Sequence, residues 1–240
     1  MNSFNKIIFI SLLVFVGCNS QSLNKNIEVM EQQECNEKKY HEPETKINMK
    51  FDTVQFKQAN RYGKYSFIDT DGMEVTQRVS TEFPSGKVEK YIENRSFPNS
   101  PYRFYSEYDD KGNIIKYIKS FSAFHIGVGL YYDSVGNIVK EENFDAPYPF
   151  SVNDLINKMR EEYGADLLNK NNGSASRYQE KEHLGIPLYM VNYFIIDTPF
   201  KNVYLINGNT GETMFISKRT IWETDDNEIS VLDEYLNSLK

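Results

Sequence analysis

Two copies of one short pattern decide the fold: residues 108–116, YDDKGNIIK, and residues 132–140, YDSVGNIVK. In each copy a tyrosine precedes an Asp-x-x-Gly-Asn turn, and two β-branched residues follow it. Glycine in such a turn favours a positive φ, and the alternation of apolar and polar residues around it is typical of strands. Each copy therefore predicts a tight β-hairpin, with Gly112 and Gly136 in equivalent positions.

The hairpin pattern extends outward from these two copies. Glycine turns recur at residues 69–72, Asp-Thr-Asp-Gly, and at residues 83–86, Phe-Pro-Ser-Gly, and the second is a weaker relative of the repeat. Repetition at this spacing indicates that each hairpin pairs with the next one along the chain. We therefore predict an antiparallel β-meander over residues 48–146.

Tyrosines are frequent in the predicted meander, at positions 102, 105, 108, 117, 131 and 132. Half of the residues in a strand point away from a given face, so some of these rings should be exposed. An exposed face lined by tyrosine suits contact with a protein or a glycan. On this ground Tyr117 and Tyr131 are predicted to bind a partner; the alternative is that these rings belong to the core.

Residues 147–240 carry helix signals as well as strand signals. Prolines interrupt residues 146–150, and Ser151-Val152-Asn153-Asp154 has the form of a capping box that opens an amphipathic helix ended by Gly164. Strands and a closing helix follow. The chain is therefore predicted to have an α+β fold, with an antiparallel meander followed by a helix-plus-antiparallel-sheet module. Because the interruption is short, one continuous sheet through both parts is left open.

Trp222 is the only tryptophan and follows the last predicted strand. Two interpretations remain open from the sequence. An exposed tryptophan can anchor a protein partner or a sugar, which makes Trp222 a third candidate for partner binding. Alternatively, its ring covers the end of the sheet against the final helix.

The N-terminus carries an export signal. Lys6 precedes an apolar run that ends at Cys18, and about a dozen apolar residues form a secretory signal but are too few to span a bilayer, which needs roughly 20. Phe15-Val16-Gly17-Cys18 resembles the lipobox of bacterial lipoproteins. The resemblance implies a signal peptide at residues 1–17 and acylation of Cys18, for example with palmitate. The protein would then be lipid-anchored in the cell envelope, periplasmic or surface-exposed; the alternative is an ordinary secretory peptide cut elsewhere.

Residues 18–47 are polar and lack strand alternation, so we predict a disordered tether between the acylated cysteine and the folded part. Cys35 lies in this segment and is the only other cysteine. If Cys18 is acylated, Cys35 remains as a free thiol or forms an intermolecular bond.

Two further stretches resemble known families. Residues 83–145, which include the sequence IGVGLYYDSVGNIVKEENF, resemble the MORN-variant repeats of antitoxin components and the YD repeats of large bacterial surface proteins. Residues 151–220 are similar to a PepSY domain, on the strength of the strand VYLIN at 203–207 and the kernel TGETM at 210–214. The PepSY resemblance implies binding or inhibition of exported peptidases and other periplasmic partners, without catalysis.

Charge and motifs exclude several classes of function. A formal net charge of −7 leaves no electrostatic footprint for nucleic acid. The three histidines, His41, His125 and His183, belong to no H-E-x-x-H pattern, and C-x-x-C is absent, so neither a metal nor another cofactor is predicted. No Gly-x-Ser-x-Gly elbow exists, and no catalytic residue is predicted. Paired carboxylates remain open, because a fold can assemble them from distant positions.

These features together predict a lipid-anchored, non-catalytic envelope protein that binds a protein partner and, in the sharpest version, inhibits or neutralises it. A glycan is the other ligand that an aromatic face would suit. The alternatives are an envelope enzyme acting on glycan or peptide, and a structural envelope lipoprotein. A deep cleft with two close carboxylates, or His125 beside an acid, would favour the enzyme.

Overall fold

Eleven strands and three helices occupy the part of the chain that the computed structural model describes, residues 43, 45–222 and 229–240. In chain order these elements are α1 (Thr53–Ala59), β1 (Lys64–Ile68), β2 (Glu74–Thr81), β3 (Val88–Ser96), β4 (Tyr102–Tyr108), β5 (Ile114–Phe121), β6 (Phe124–Tyr132), β7 (Ile138–Asn143), α2 (Val152–Tyr163), β8 (Gly173–Gln179), β9 (Pro187–Phe194), β10 (Phe200–Asn207), β11 (Thr213–Thr220) and α3 (Val231–Ser238). All described residues belong to one unit. Cys18, Cys35 and most of the predicted tether lie outside the described residues.

The first seven strands form one antiparallel sheet in the order β1 to β7, so each strand pairs with its neighbours in the sequence. The two repeat copies form the β4–β5 and β6–β7 hairpins. In the first turn, one carboxylate oxygen of Asp109 accepts hydrogen bonds from the backbone N–H groups of Lys111 (2.9 Å) and Asn113 (2.7 Å). Gly112 and Gly136 have φ values of +80° and +92°, which confirms the left-handed turn position predicted for both glycines.

One face of this sheet is covered by the chain that precedes it. Phe51 stacks on Tyr91 with ring centroids 4.6 Å apart, and Phe56 of α1 packs against the same tyrosine. The N–H of Phe51 donates to the carbonyl of Gly112 (2.8 Å), so the covering segment is fastened to the first repeat turn. Tyr108 and Ile114 belong to the same cluster, and burial of these large apolar side chains stabilises the meander.

The last four strands form a second antiparallel sheet in the order β11-β10-β9-β8. Both helix signals read from the sequence are present: Ser151 and Asp154 form the capping box of α2, and Gly164 ends that helix with φ +63°. The Tyr163 hydroxyl of α2 donates to Thr213 (2.8 Å), and its ring packs on Tyr204 of β10. The adjacent β10 residues Val203 and Leu205 lie on the opposite side, with Val231 of α3. Strand β10 is therefore covered on both faces.

The two sheets meet where β8 passes the β5–β6 turn. The backbone N–H of Ala123 donates to the carbonyl of Ala175 (3.2 Å), and the N–H of Ala175 donates to the hydroxyl of Ser122 (2.9 Å). Arg177 of β8 then reaches the meander: its guanidinium donates to the carbonyl of His125 (2.9 Å) and pairs with Asp145. These contacts fix the end of the meander against the edge of the second sheet.

The α+β fold predicted from the sequence is wrong. The described residues are mostly antiparallel β-structure, with 45% strand and 14% helix, and they form two sheets and not a continuous one. The helix signals were locally correct, but the helices are short and form no layer of their own. The sheet does not continue from β7 into β8, because the intervening chain contains α2 and because β8 approaches the β5–β6 turn instead of the free edge of β7.

The two equivalent glycines should differ in their tolerance of a side chain. A Cβ on Gly112 would lie 2.8 Å from the carbonyl oxygen of Phe51 and 3.1 Å from a methyl carbon of Thr53, whereas a Cβ on Gly136 meets only Met49, at 3.7 Å. Gly136→Ala should cost about 1–2 kcal/mol of unfolding free energy, because the left-handed backbone disfavours a side chain. Gly112→Ala should cost at least about 1 kcal/mol more, because the backbone of the covering segment must also move. Urea unfolding of both variants measures the difference, and equal losses would contradict this packing.

Candidate functional site

The two tyrosines predicted to share a binding face lie on opposite faces of the meander. Tyr131 of β6 is paired with Lys116 of β5, whereas the next β5 residue, Tyr117, is paired with Leu130. Tyr117 packs against the aromatic cluster on the covered face, and its hydroxyl lies 3.4 Å from that of Thr45. Of the two candidates, Tyr131 alone lies on the face opposite to the aromatic cluster.

The other predicted aromatic positions divide in the same way. Tyr102 and Tyr108 belong to the core, with 1% and 0% of their surfaces exposed. Trp222 is 76% exposed beyond the end of β11, so its ring does not cover the sheet against the final helix. It belongs to the second sheet and is not part of the surface around Tyr131.

The surface around Tyr131 is an array of aromatic rings and charged groups on four neighbouring strands. Glu107, Lys116, Tyr131 and Lys140 follow one another across β4, β5, β6 and β7 as direct cross-strand pairs. Two further residues, Tyr105 and Glu142, adjoin this row. We call this array the tyrosine–lysine surface, defined as Tyr105, Glu107, Lys116, Tyr131, Lys140 and Glu142.

Tyr131 is held from three sides. Its hydroxyl donates to a carboxylate oxygen of Glu142 (2.8 Å), and the Lys140 ammonium, which also pairs with Glu142 at 3.0 Å, lies 4.5 Å from the centre of its ring. The Lys116 ammonium lies 5.6 Å from the same ring centre and 5.8 Å from that of Tyr105. Cations at these distances are attracted to the ring faces. The ring is therefore oriented before any partner arrives.

A second set of contacts orders the other end of the tyrosine–lysine surface. The Tyr105 hydroxyl donates to Glu107, and the Lys90 ammonium lies 3.0 Å from the same carboxylate. Burial alone would raise the pKa of Glu107, but the hydrogen bonds from Tyr105 and Lys90 outweigh it and hold that pKa below its usual value. Burial, followed by the hydrogen bond to Glu107, raises the pKa of Tyr105.

These shifts decide what the tyrosine–lysine surface can do chemically. Hydrogen bonds from Lys140 and Tyr131 lower the pKa of Glu142, and the bond to Glu142 raises the pKa of Tyr131. Near neutral pH both carboxylates are therefore ionised and both phenols are protonated. A general acid or base needs a pKa near the working pH. These four groups therefore keep their protonation states near neutral pH.

His125 lies near this surface and is the histidine that would matter to an enzyme. Its Nδ1 is 3.0 Å from the hydroxyl of Ser120, and its ring packs on Phe144. Burial, followed by the nearby charge of Lys116, lowers the pKa of His125, so the ring is neutral at pH 7. Within the described residues no carboxylate hydrogen-bonds to His125, so the Ser120–His125 pair lacks the third group that orients the base in a nucleophilic triad.

Among the described residues, no group of three or more His, Cys, Asp or Glu side chains is placed to hold a metal ion. Within the same residues, none of the helices has the length and apolar character needed to cross a bilayer.

No protein-family model, curated protein or solved structure matches this chain. The resemblances to lipoproteins, to hairpin repeats and to PepSY domains therefore stay predictions.

Sequence reasoning missed most of the tyrosine–lysine surface because it selected rings and not their neighbours. The missed residues are Lys116, Lys140, Glu107 and Glu142. The register of the hairpin could have indicated these neighbours. Counting residues outward from the repeat turn pairs Tyr131 with Lys140, provided that the bulge between Tyr131 and Tyr132 is included. A bulge shifts the register by one residue, and the pattern of residue types alone does not locate it.

The hydrogen bond from Tyr131 to Glu142 gives a direct test of this geometry. In Glu142→Gln the charged acceptor is lost, so the pKa of the Tyr131 phenol should fall toward about 10, the usual tyrosine value. Carbon-13 labelling at tyrosine Cζ follows the titration by NMR, with Tyr131→Phe assigning the resonance. Glu141→Gln is the matched control, because Glu141 is paired with Leu130 on the opposite face. An unchanged Tyr131 titration in Glu142→Gln would show that the bond does not form.

Proposed function

We propose that this protein is a lipid-anchored, non-catalytic binding protein of the bacterial cell envelope, and that it contacts a protein partner through the tyrosine–lysine surface. The observation that carries the proposal is the ordering of Tyr131 by Glu142, Lys140 and Lys116 on the face opposite to the aromatic cluster of Phe51, Tyr91 and Tyr108. Tyrosine is enriched in protein interfaces, where a rigid ring gives a large contact area at a small entropy cost.

The ordering of the tyrosine–lysine surface favours binding energetically. Fixing a long lysine side chain on association costs about 0.5–1.5 kcal/mol, and that cost is reduced where the side chain already lies over a ring. The array has two glutamates and two lysines, so it is charge-balanced. A partner would therefore need both signs of charge around an apolar contact for the Tyr131 ring. Inhibition or neutralisation of that partner is the sharpest version of the proposal, and the PepSY and MORN-variant resemblances are its support.

Partner capture by the full-length protein tests the proposal. Tyr131→Ala should lose a protein that wild type retains from envelope extract, and with that protein purified the dissociation constant should rise at least about tenfold, as for a central interface residue. Lys140→Gln should weaken binding by a smaller factor, because it removes one of the groups that hold the ring.

Tyr62→Ala is the matched control, because Tyr62 is a fully exposed tyrosine before β1 and lies outside the tyrosine–lysine surface. Capture that is lost equally in Tyr62→Ala and Tyr131→Ala, or retained in both, would refute the assignment of the surface. Capture of a glycan in place of a protein, dependent on Tyr131, would replace the protein partner by a sugar. Thermal melts of each variant separate lost binding from lost folding.

The lipid anchor is proposed from the apolar run that ends at Cys18 after Gly17. Cys18→Ser should abolish incorporation of labelled palmitate and should move the protein from the membrane fraction to the soluble fraction, because an acidic chain, with a net charge of −7 over its full length, has no electrostatic attraction to anionic headgroups. Cys35→Ser is the control and should keep the label. Labelling that persists in Cys18→Ser would place the anchor elsewhere.

A further inference from the structure

A cleft lies at the junction of the two sheets, next to the β5–β6 turn. It has a volume of about 370 Å³, within the range of roughly 300–1,000 Å³ that is usual for small-molecule sites. No residue of the tyrosine–lysine surface lines it. The residues that matter to its chemistry are two cations and four serines: Ser96, Ser100, Arg103, Ser122, Lys170 and Ser174.

The charge of the cleft is opposite to that of the whole chain. The chain has a net charge of −7, yet Arg103 and Lys170 are the charged residues of the lining, and no Asp or Glu is among them. Both residues are exposed to solvent, and positive charges that line one cleft attract an anion to it. Arginine and lysine together are the usual partners of phosphate and sulfate oxygens.

The serine hydroxyls of the cleft are available as donors. The Ser100 oxygen already accepts the N–H of Tyr102 (3.1 Å), and the Ser122 oxygen accepts the N–H of Ala175 (2.9 Å). Each hydroxyl therefore keeps its own proton to donate, since a hydroxyl has one donor and two acceptor positions. Ser96 and Ser174 make no side-chain hydrogen bond with another described residue. The cleft thus offers cations and O–H donors to an anionic ligand group that has hydrogen-bond acceptors and no donors.

One residue that lines this cleft, Ser122, is held in an unfavourable backbone conformation. Ser122 has φ +50°, a left-handed conformation that is unfavourable for a side chain other than glycine. Three groups hold it there: its N–H donates to the carbonyl of Pro101 (2.8 Å), the Arg103 guanidinium donates to its carbonyl, and its hydroxyl accepts from Ala175. Strained residues fixed from several sides are frequent at ligand sites.

We propose that this cleft binds the phosphate or sulfate ester of a small molecule, with Lys170 and Arg103 facing the anion and the serine hydroxyls donating to its oxygens. A tetrahedral oxyanion has the bulk of only a few water molecules, each of about 30 Å³, so it would leave most of the cleft for the rest of the ligand. An ester of a single sugar is a ligand of suitable size. This site goes beyond the proposed partner binding and does not depend on it.

Calorimetric titration of the full-length protein tests the site. Glucose 6-phosphate or glucose 6-sulfate should bind more tightly than inorganic phosphate, whereas glucose should not bind, and the two esters distinguish the preferred anion. Lys170→Gln should weaken binding about tenfold, because a charge-assisted hydrogen bond is lost. Ser174→Ala should weaken it about threefold, because the lost bond is neutral. Neither variant removes a side-chain hydrogen bond that joins two described residues, so both should fold.

Arg78→Gln is the matched control, because it removes one positive charge from an exposed position on β2 outside the cleft lining. Its affinity should stay within about twofold of wild type, since screening weakens distant exposed charges. Three results would overturn the proposal: no binding of any ester at about 10 mM, equal affinity in wild type, Lys170→Gln and Ser174→Ala, or a loss in Arg78→Gln as large as in Lys170→Gln. All three variants keep the tyrosine–lysine surface, so partner capture by the same proteins reports separately on the proposed function.

Discussion

The arrangement of the two sheets depends on one buried cation, the guanidinium of Arg177. Its side chain is 4% exposed, and it lies 4.5 Å from the ring centre of Phe124 and 4.4 Å from that of Tyr148. It also donates to the carbonyl of His125 and pairs with Asp145. A buried charge is tolerated only when it is paired and hydrogen-bonded. Because its partners lie in β6 and in the segment after β7, the Arg177 guanidinium keeps this ion pair and this hydrogen bond only while the second sheet sits against the meander.

This junction also connects the fold to its surfaces. The chain reverses direction between β5 and β6 at Ser122, which contacts β8 and lines the cleft at the sheet junction. The same two strands supply Lys116 and Tyr131 to the tyrosine–lysine surface. The two sites therefore share a framework of paired strands and use different side chains. A rigid sheet fixes the positions of such side chains more accurately than loops do, because each residue is held by its cross-strand neighbours.

The registers of the two repeat hairpins explain how much of the site could be predicted from the sequence. The repeat located the turns, and the glycines at 112 and 136 adopt the expected left-handed conformation. The bulges beside Tyr108 and Tyr132 were not predictable, because residue types do not show which strand takes the extra residue. A shift of one residue moves a side chain to the other face. Tyr117 consequently packs against the aromatic cluster and Tyr131 lies on the opposite face, although the pattern treated them alike.

The sequence by itself determined the local elements: the hairpins of the meander, the capping box at Ser151 and the end of α2 at Gly164. Each depends on contacts within a few residues, which a local pattern encodes. Only the tertiary structure decided that the protein is mostly β and has two sheets, and that Arg103 and Lys170 share a cleft. These outcomes depend on packing between residues far apart in the chain. Burial of the Arg177 side chain and of the aromatic clusters stabilises that packing. No short stretch of sequence contains both Arg177 and the residues that pair with it, His125 and Asp145.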